Sequence, residues 1–140
     1  MSAFEKLYDR MFSALKAYPG LVDVGSGGDV PVANVHPSDD PLEVVAGSSI
    51  IYSMTASSED LKFRRFEGVM QVTVGNPKSK MAAHLTMAKV RRALVPIPLT
   101  GDGILVMLFK EQSQATDAGK AEESWRVTTA FSFKMVEGSL

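Results

Sequence analysis

The sequence contains no cysteine. That excludes disulfide scaffolds, thiol nucleophiles and thiolate metal sites together, and it fits a reducing compartment. Histidine occurs only at His36 and His84, and neither has a second ligand at HxxxH or HxxE spacing. A metal centre or other bound cofactor is therefore not expected. Neither sign of charge dominates. The 15 basic residues face 16 acidic ones, so no global field recruits nucleic acid or an anionic membrane. No apolar run approaches the roughly 20 residues needed to span a bilayer. Residues 1–18 are amphipathic and charged by Arg10, without the apolar centre of a signal peptide. The expectation is a protein made and kept in the cytoplasm, with no membrane partner.

What is present is enough to bury one core. The chain has 140 residues, 45% of them apolar, which suits one domain over 1–140 better than two small ones. Phe4, Leu7, Tyr8, Met11, Phe12 and Leu15 recur at helical spacing, with Ser2 and Glu5 in a capping-box pattern and Pro19-Gly20 as a stop. Residues 21–47 hold four of the eleven glycines and three of the seven prolines, and they read as a long loop with one short extended piece at 30–35.

Two strands follow. In the first, Ile50, Tyr52, Met54 and Ala56 share a face; in the second, Phe66, Gly68, Met70, Val72 and Val74 do. The short polar link between them predicts an antiparallel hairpin. The spacing predicts a helix over 79–95, with Ala83, Met87, Val90 and Leu94 on one sector and Met81, Leu85 and Ala88 opposite. The apolar run 104–109 reads as a strand covered on both faces, and 112–123 as a polar loop. Trp125, Val127, Thr129, Phe131, Phe133 and Met135 then alternate with polar or small residues in the clearest strand of all. Trp125, Phe131, Phe66, Met70, Val90 and Leu94 form the expected core. The fold class read from this order is α+β: helix-strand-strand-helix-strand-strand, an antiparallel sheet with the helices on one face.

No pattern of catalytic residues emerges. The glycine run at 24–29 lacks the lysine and the strand–helix setting of a phosphate loop, and no serine stands in GxSxG or SxxK. An enzyme is therefore not expected. The adjacent pair Asp39 and Asp40 lies beside prolines and reads as a solvated turn. Two basic doublets remain, Arg64-Arg65 and Arg91-Arg92. The second lies late in a helix, where cations complement the dipole; both also suit an electrostatic contact with a partner. The candidate interface residues are Asp39, Asp40, Arg64, Arg65, Met81, Leu85, Arg91 and Arg92.

The segments "FRRFEGVMQVTVGNP", "SKMAAHLTMAKVRRALV" and "WRVTTAFSFKMV", with Asp117, Trp125, Arg126 and Phe131 in a D…W-R-x-x-x-x-F pattern, resemble the tail terminator (tail completion) proteins of long-tailed bacteriophages and gene-transfer-agent-like particles. The resemblance spans nearly the whole chain, although the loop at 21–47 is longer than is usual in that family. It implies a structural virion protein at the head–tail junction that assembles into a ring, a hexamer. The ring caps the tail tube protein, stops its polymerisation and offers a surface to the head completion or connector protein, with DNA passing through. The aspartates of 21–47 are then expected to meet basic groups across an interface, Arg64 and Arg65 of a neighbour among them. A head–tail joining (neck) protein is the nearest alternative, and a regulatory α+β module that binds a small molecule in a pocket is the next.

Overall fold

The computed structural model describes residues 3–25, 27–37, 47–60, 64–95, 101, 103–111, 116–121 and 124–138. The chain runs α1 (Ala3–Ala17), β1 (Val22–Asp23), β2 (Val30–Pro31), a 3-10 turn (Val32–Asn34), β3 (Val35–Pro37), β4 (Ser49–Asp60), β5 (Arg65–Asn76), α2 (Lys80–Leu94), β6 (Ile104–Glu111), β7 (Thr116–Ala121) and β8 (Ser124–Glu137). The main sheet has the order β3-β4-β5-β8-β6, and β7 also pairs with β8.

The cleanest alternation in the sequence becomes the centre of the sheet. Directly opposed residues of antiparallel strands share a face. Val74 faces Val127, Val72 faces Thr129, Met70 faces Phe131 and Phe66 faces Met135. All eight are buried. On β4, Ile50 and Tyr52 join them opposite Val74 and Val72. The expected β4–β5 hairpin is therefore present. The other face carries a Thr73–Thr128 hydroxyl pair at 2.9 Å, with Gln71 and Lys134 exposed. Only one face needed cover, and both helices lie on it.

Helix α1 buries Leu7, Met11, Ala14 and Leu15. Each large apolar side chain so buried contributes roughly 1.5–3 kcal/mol. Phe4 meets Phe66 edge-on at 5.2 Å, and Tyr8 lies 5.5 Å from Tyr52. The Tyr8 hydroxyl accepts the Met54 N–H at 3.2 Å, so the ring keeps a polar partner. The helix stops before Pro19, and Gly20 takes φ +77°, which favours glycine. The Ser2 cap falls outside the described residues.

Helix α2 starts where it should. The Ser79 hydroxyl accepts the Ala82 N–H at 3.0 Å. One residue group upstream, the Asn76 carbonyl accepts from Lys78 N at 2.8 Å and Ser79 N at 3.1 Å. The Asn76 amide also donates to the Ser48 hydroxyl at 3.0 Å, and Asn34 donates to the Ser48 carbonyl at 2.9 Å. Asn34, Ser48 and Asn76 are all buried. This polar knot joins the segment before β4 to the start of α2. Asn76→Ala strands two N–H groups and one hydroxyl, so it should cost about 1–3 kcal/mol in urea denaturation. Ser79→Ala removes only the cap and should cost about 1 kcal/mol. Equal losses would show that Asn76 serves only as an extension of the cap.

Several expectations need correction. The sheet is mixed rather than wholly antiparallel, because β3 pairs parallel with β4, Val35 opposite Ile50. The segment 21–47 is not one loop. Val22 and Val30 pair in a small parallel β1–β2 ladder, and both are buried. The polar segment 112–123 contains β7, which continues the path of β6 along β8 and turns back at Ala121 opposite Ser124. Strand β6 is not covered on both faces, since Leu105 is 54% exposed on this outer strand. Trp125 is half-buried and lies outside the core, whereas Phe131, Phe66, Met70, Val90 and Leu94 belong to it.

Candidate interaction surface

Helix α2 has two apolar faces. Ala83, Thr86, Met87, Val90, Ala93 and Leu94 are buried against the sheet and α1. At about 100° per residue, Met81, Leu85, Ala88, Arg92 and Val95 fall within a sector of about 80° on the opposite side. Met81 is 68% exposed, Leu85 59% and Val95 41%. They supply three of the six large hydrophobics that stand exposed among the described residues. Methionine and leucine favour helix but gain nothing from water, so a stripe of this kind is a candidate contact surface.

A groove of about 600 Å³ runs beside this stripe. Leu85, Ala88, Lys89 and Arg92 form its helical wall, and Asp23, Asp29 and Pro31 form the other. Gly28 is required in that second wall. A Cβ there would sit 2.6 Å from the backbone of Val22 and Asp23. The two walls are tied by Lys89 and Asp29 at 2.6 Å, a pair more than a third exposed on the Asp29 side. Such a pair contributes about 0–1 kcal/mol, so it sets the width of the groove more than the stability of the fold. A second hollow of about 440 Å³ continues past Ala88 and Arg92 to Val95, Arg91 and Glu111.

The candidate residues divide. Met81, Leu85 and Arg92 come together on the α2 surface. Arg91 does not join them freely, because its guanidinium binds one Glu111 oxygen through Nε at 3.0 Å and Nη2 at 2.8 Å. It pins the end of α2 to β6. Arg64 sits at the far end of the β4–β5 hairpin with φ +52°. Its carbonyl accepts Glu137 N at 2.9 Å, and its side chain binds Glu137 at 2.9 Å. Arg65 is exposed beside it. Asp39 and Asp40 lie outside the described residues. The loop aspartates that are described act within the chain: Asp29 holds Lys89, and Asp23 accepts Gly25 N at 3.0 Å. Sequence reasoning missed the groove wall at Asp23, Asp29 and Pro31. The one available signal was the clustering of glycine and aspartate.

Glu137 binds Lys6 of α1 at 3.0 Å as well as Arg64. The hydrogen bond from Lys6, above all, holds its carboxyl below the ordinary value of 4.5, with the charges of Lys6 and Arg64 adding to the effect and burial opposing it. A carboxyl depressed by folding contributes stability above its unfolded value, and that contribution is lost as pH falls through the folded one. Glu137→Gln should therefore lower the urea midpoint at neutral pH. The gap should close well below pH 4.5. A gap that persists in acid would assign the effect to packing rather than charge.

His36 is buried, and its Nδ1 lies 2.8 Å from the Pro37 carbonyl, to which it donates as the N–H tautomer. His84 is half-buried on α2. Among the described residues no three histidine or acidic side chains gather as a metal site, and no helix is long and apolar enough to cross a membrane.

No family model matches the chain, and no curated protein matches its sequence. Solved structures do. A chain from the virion of a native gene transfer agent particle superposes with a TM-score of 0.67 and 18% identity, over 91% of this chain and 92% of its own. A second solved chain is 16% identical with a TM-score of 0.56, over 94% of this chain and 97% of its own. At these identities the likeness is one of fold: nearly end to end, this chain is folded like a component of a gene transfer agent virion.

Proposed function

We propose that this protein is a structural virion subunit, a tail terminator that assembles into a hexameric ring on the tail tube, stops its polymerisation and presents the surface on which the head docks. Support comes first from the fold shared over 91% of the chain with a gene transfer agent virion component. The sequence likeness to tail terminators, carried by the β4–β5 hairpin, α2 and β8, supports the more specific role within such a particle. The exposed stripe on α2 supplies what such a role requires. A closed ring needs a surface on each subunit that meets a different surface on the next. A helix that already buries one face against its own sheet can lend the other to a neighbour.

The reading assigns no catalytic residue and no cofactor. It places Met81, Leu85 and Arg92 at a protein contact and leaves Arg91 and Arg64 as internal ties. Asp39, Asp40 and Arg65 remain interface candidates. The deciding experiment is electron microscopy of the purified protein mixed with tail tube subunits. Tubes closed by a ring at one end, and shorter than tubes grown without the protein, are the expected result. Rings that bind the head connector but leave tube length unchanged would make it a neck protein instead.

A further inference from the structure

We propose that the uncovered face of the main sheet binds the phosphate backbone of double-helical nucleic acid; as the surface that passing DNA meets, it rests on the ring reading above. Among the described side chains of this face, Arg65, Gln71, Leu105, Lys110, Arg126 and Lys134 are exposed, four of them basic and none acidic. The register places two acids on the same face, Glu67 opposite Lys134 and Asp60 opposite Arg65. Glu67 is half-buried and forms no ion pair among the described residues. Arg65, Lys110 and Lys134 form none there either. Elsewhere the chain ties its cations down: Lys6 and Arg64 bind Glu137, Lys89 binds Asp29 and Arg91 binds Glu111. Lys78 and Arg92, also without an ion pair among the described residues, line the groove beside α2. In a chain with 15 basic and 16 acidic residues, four bases against two acids on one face is a local excess of positive charge.

The placement of these cations selects the occupant. Lys134 on β8 is a diagonal neighbour of both Arg65 and Lys110, because Arg65 stands opposite Val136 and Lys110 opposite Ser132. Diagonal neighbours on one face of antiparallel strands lie about 7–8 Å apart. The three cations therefore form an oblique line across β5, β8 and β6. Arg126 extends the surface eight residues along β8 from Lys134. That is about 27 Å of strand, the length of about eight base pairs. Between lie Gln71, Thr73, Thr128 and Ser132, whose amide and hydroxyl groups can donate to phosphate oxygens. No aromatic ring stands on this face among the described side chains, so it offers no platform for a splayed base. The grooves described above lie on the α2 side. The face thus suits backbone contact with an intact duplex, without sequence preference. An acidic protein would need an apolar anchor near the centre of its contact. The exposed apolar side chain here, Leu105, stands instead at a corner, in the row of Val136 and Arg65.

The test is fluorescence anisotropy of a labelled DNA duplex of mixed sequence, titrated with the purified protein at several salt concentrations. Binding should weaken as salt rises, with a logarithmic slope of about −0.9 for each phosphate neutralised. Lys110→Glu combined with Lys134→Glu should lower affinity at low salt at least about ten-fold and flatten the slope by about two. Lys16→Glu, on the exposed side of α1, changes net charge as much as Lys134→Glu alone and should leave binding nearly unaltered. All these positions are exposed, so circular dichroism should report an unchanged fold. Equal losses from Lys16→Glu and Lys134→Glu would reduce the effect to overall charge and overturn the proposal. So would the absence of duplex binding at low salt. Tighter binding of polyglutamate than of the duplex would also overturn it, making the face a contact for acidic protein. Light scattering on the same samples separates this outcome from the ring reading. Rings that ignore the duplex refute the face alone, whereas face-dependent binding by chains that never form rings refutes the ring and keeps the face.

Discussion

Phe131→Ala should lower folding stability by about 3–5 kcal/mol, the range for deleting a large aromatic from a close-packed core. Phe131 is fully buried at the middle of β8. It faces Met70 on β5, and its ring stacks on Phe109 of β6 at 5.3 Å between centroids. These partners belong to three adjacent strands held by a continuous ladder, so they cannot collapse into the space left behind. The lost contacts and the cavity therefore add. Guanidinium denaturation of wild type and variant should show the loss as a lower midpoint at an unchanged slope. Phe109→Ala, at a half-buried position, should cost clearly less. A loss at Phe131 below a tenth of the stated range would mean that β8 is not the centre of the core.

This prediction was available from the sequence because β8 and β5 alternate without a break over one covered face. The same physics explains what was not legible. Strands β1, β2 and β3 have two or three residues each, too few to show a period of two. Their pairing is set by partners elsewhere in the chain, such as Ile50 for Val35. Strand β7, with the sequence TDAGKA, carries no apolar face at all, and only its ladder to β8 makes it a strand. The run at 104–109 misled for the opposite reason. An apolar sequence implies cover on two faces, but β6 lies at the outer side of the sheet, where Leu105 meets solvent.

The candidate surface shows the same division. The second face of α2 was legible because one helix fixes the relative positions of Met81, Leu85 and Ala88. The fates of the arginines were not. Arg64 finds its carboxylate 73 residues away and Arg91 finds its own 20 residues away. No local pattern distinguishes an arginine that closes an internal pair, as Arg91 does, from one that makes no ion pair among the described residues, such as Arg92. The distinction matters for mutagenesis. Arg91→Ala should loosen the α2–β6 contact and move stability, while Arg92→Ala should leave the fold alone.

The sharpest separation of folding from assembly is expected at Leu85. Its side chain is 59% exposed, and it points away from the core sector that holds Met87 and Val90. Leu85→Glu buries nothing new in the monomer and keeps a good helix former in place. Its effect on the urea midpoint should be within about 0.5 kcal/mol, the usual span for an exposed site. The same change puts a carboxylate at the centre of the apolar stripe, where a neighbour would have to bury it. Truncating or charging a central anchor of an interface typically costs 2 kcal/mol or more, which is roughly thirty-fold in affinity. Ring formation and tube capping should therefore fall by at least about that factor while the circular dichroism spectrum stays unchanged. Glutamate also tests the sign of the surface. If Arg92 and Lys78 dominate the contact, Leu85→Lys should be worse than Leu85→Glu, because it adds a third cation beside them. Normal assembly of Leu85→Glu, or unfolding of the monomer, would remove α2's outer face as the joint between subunits.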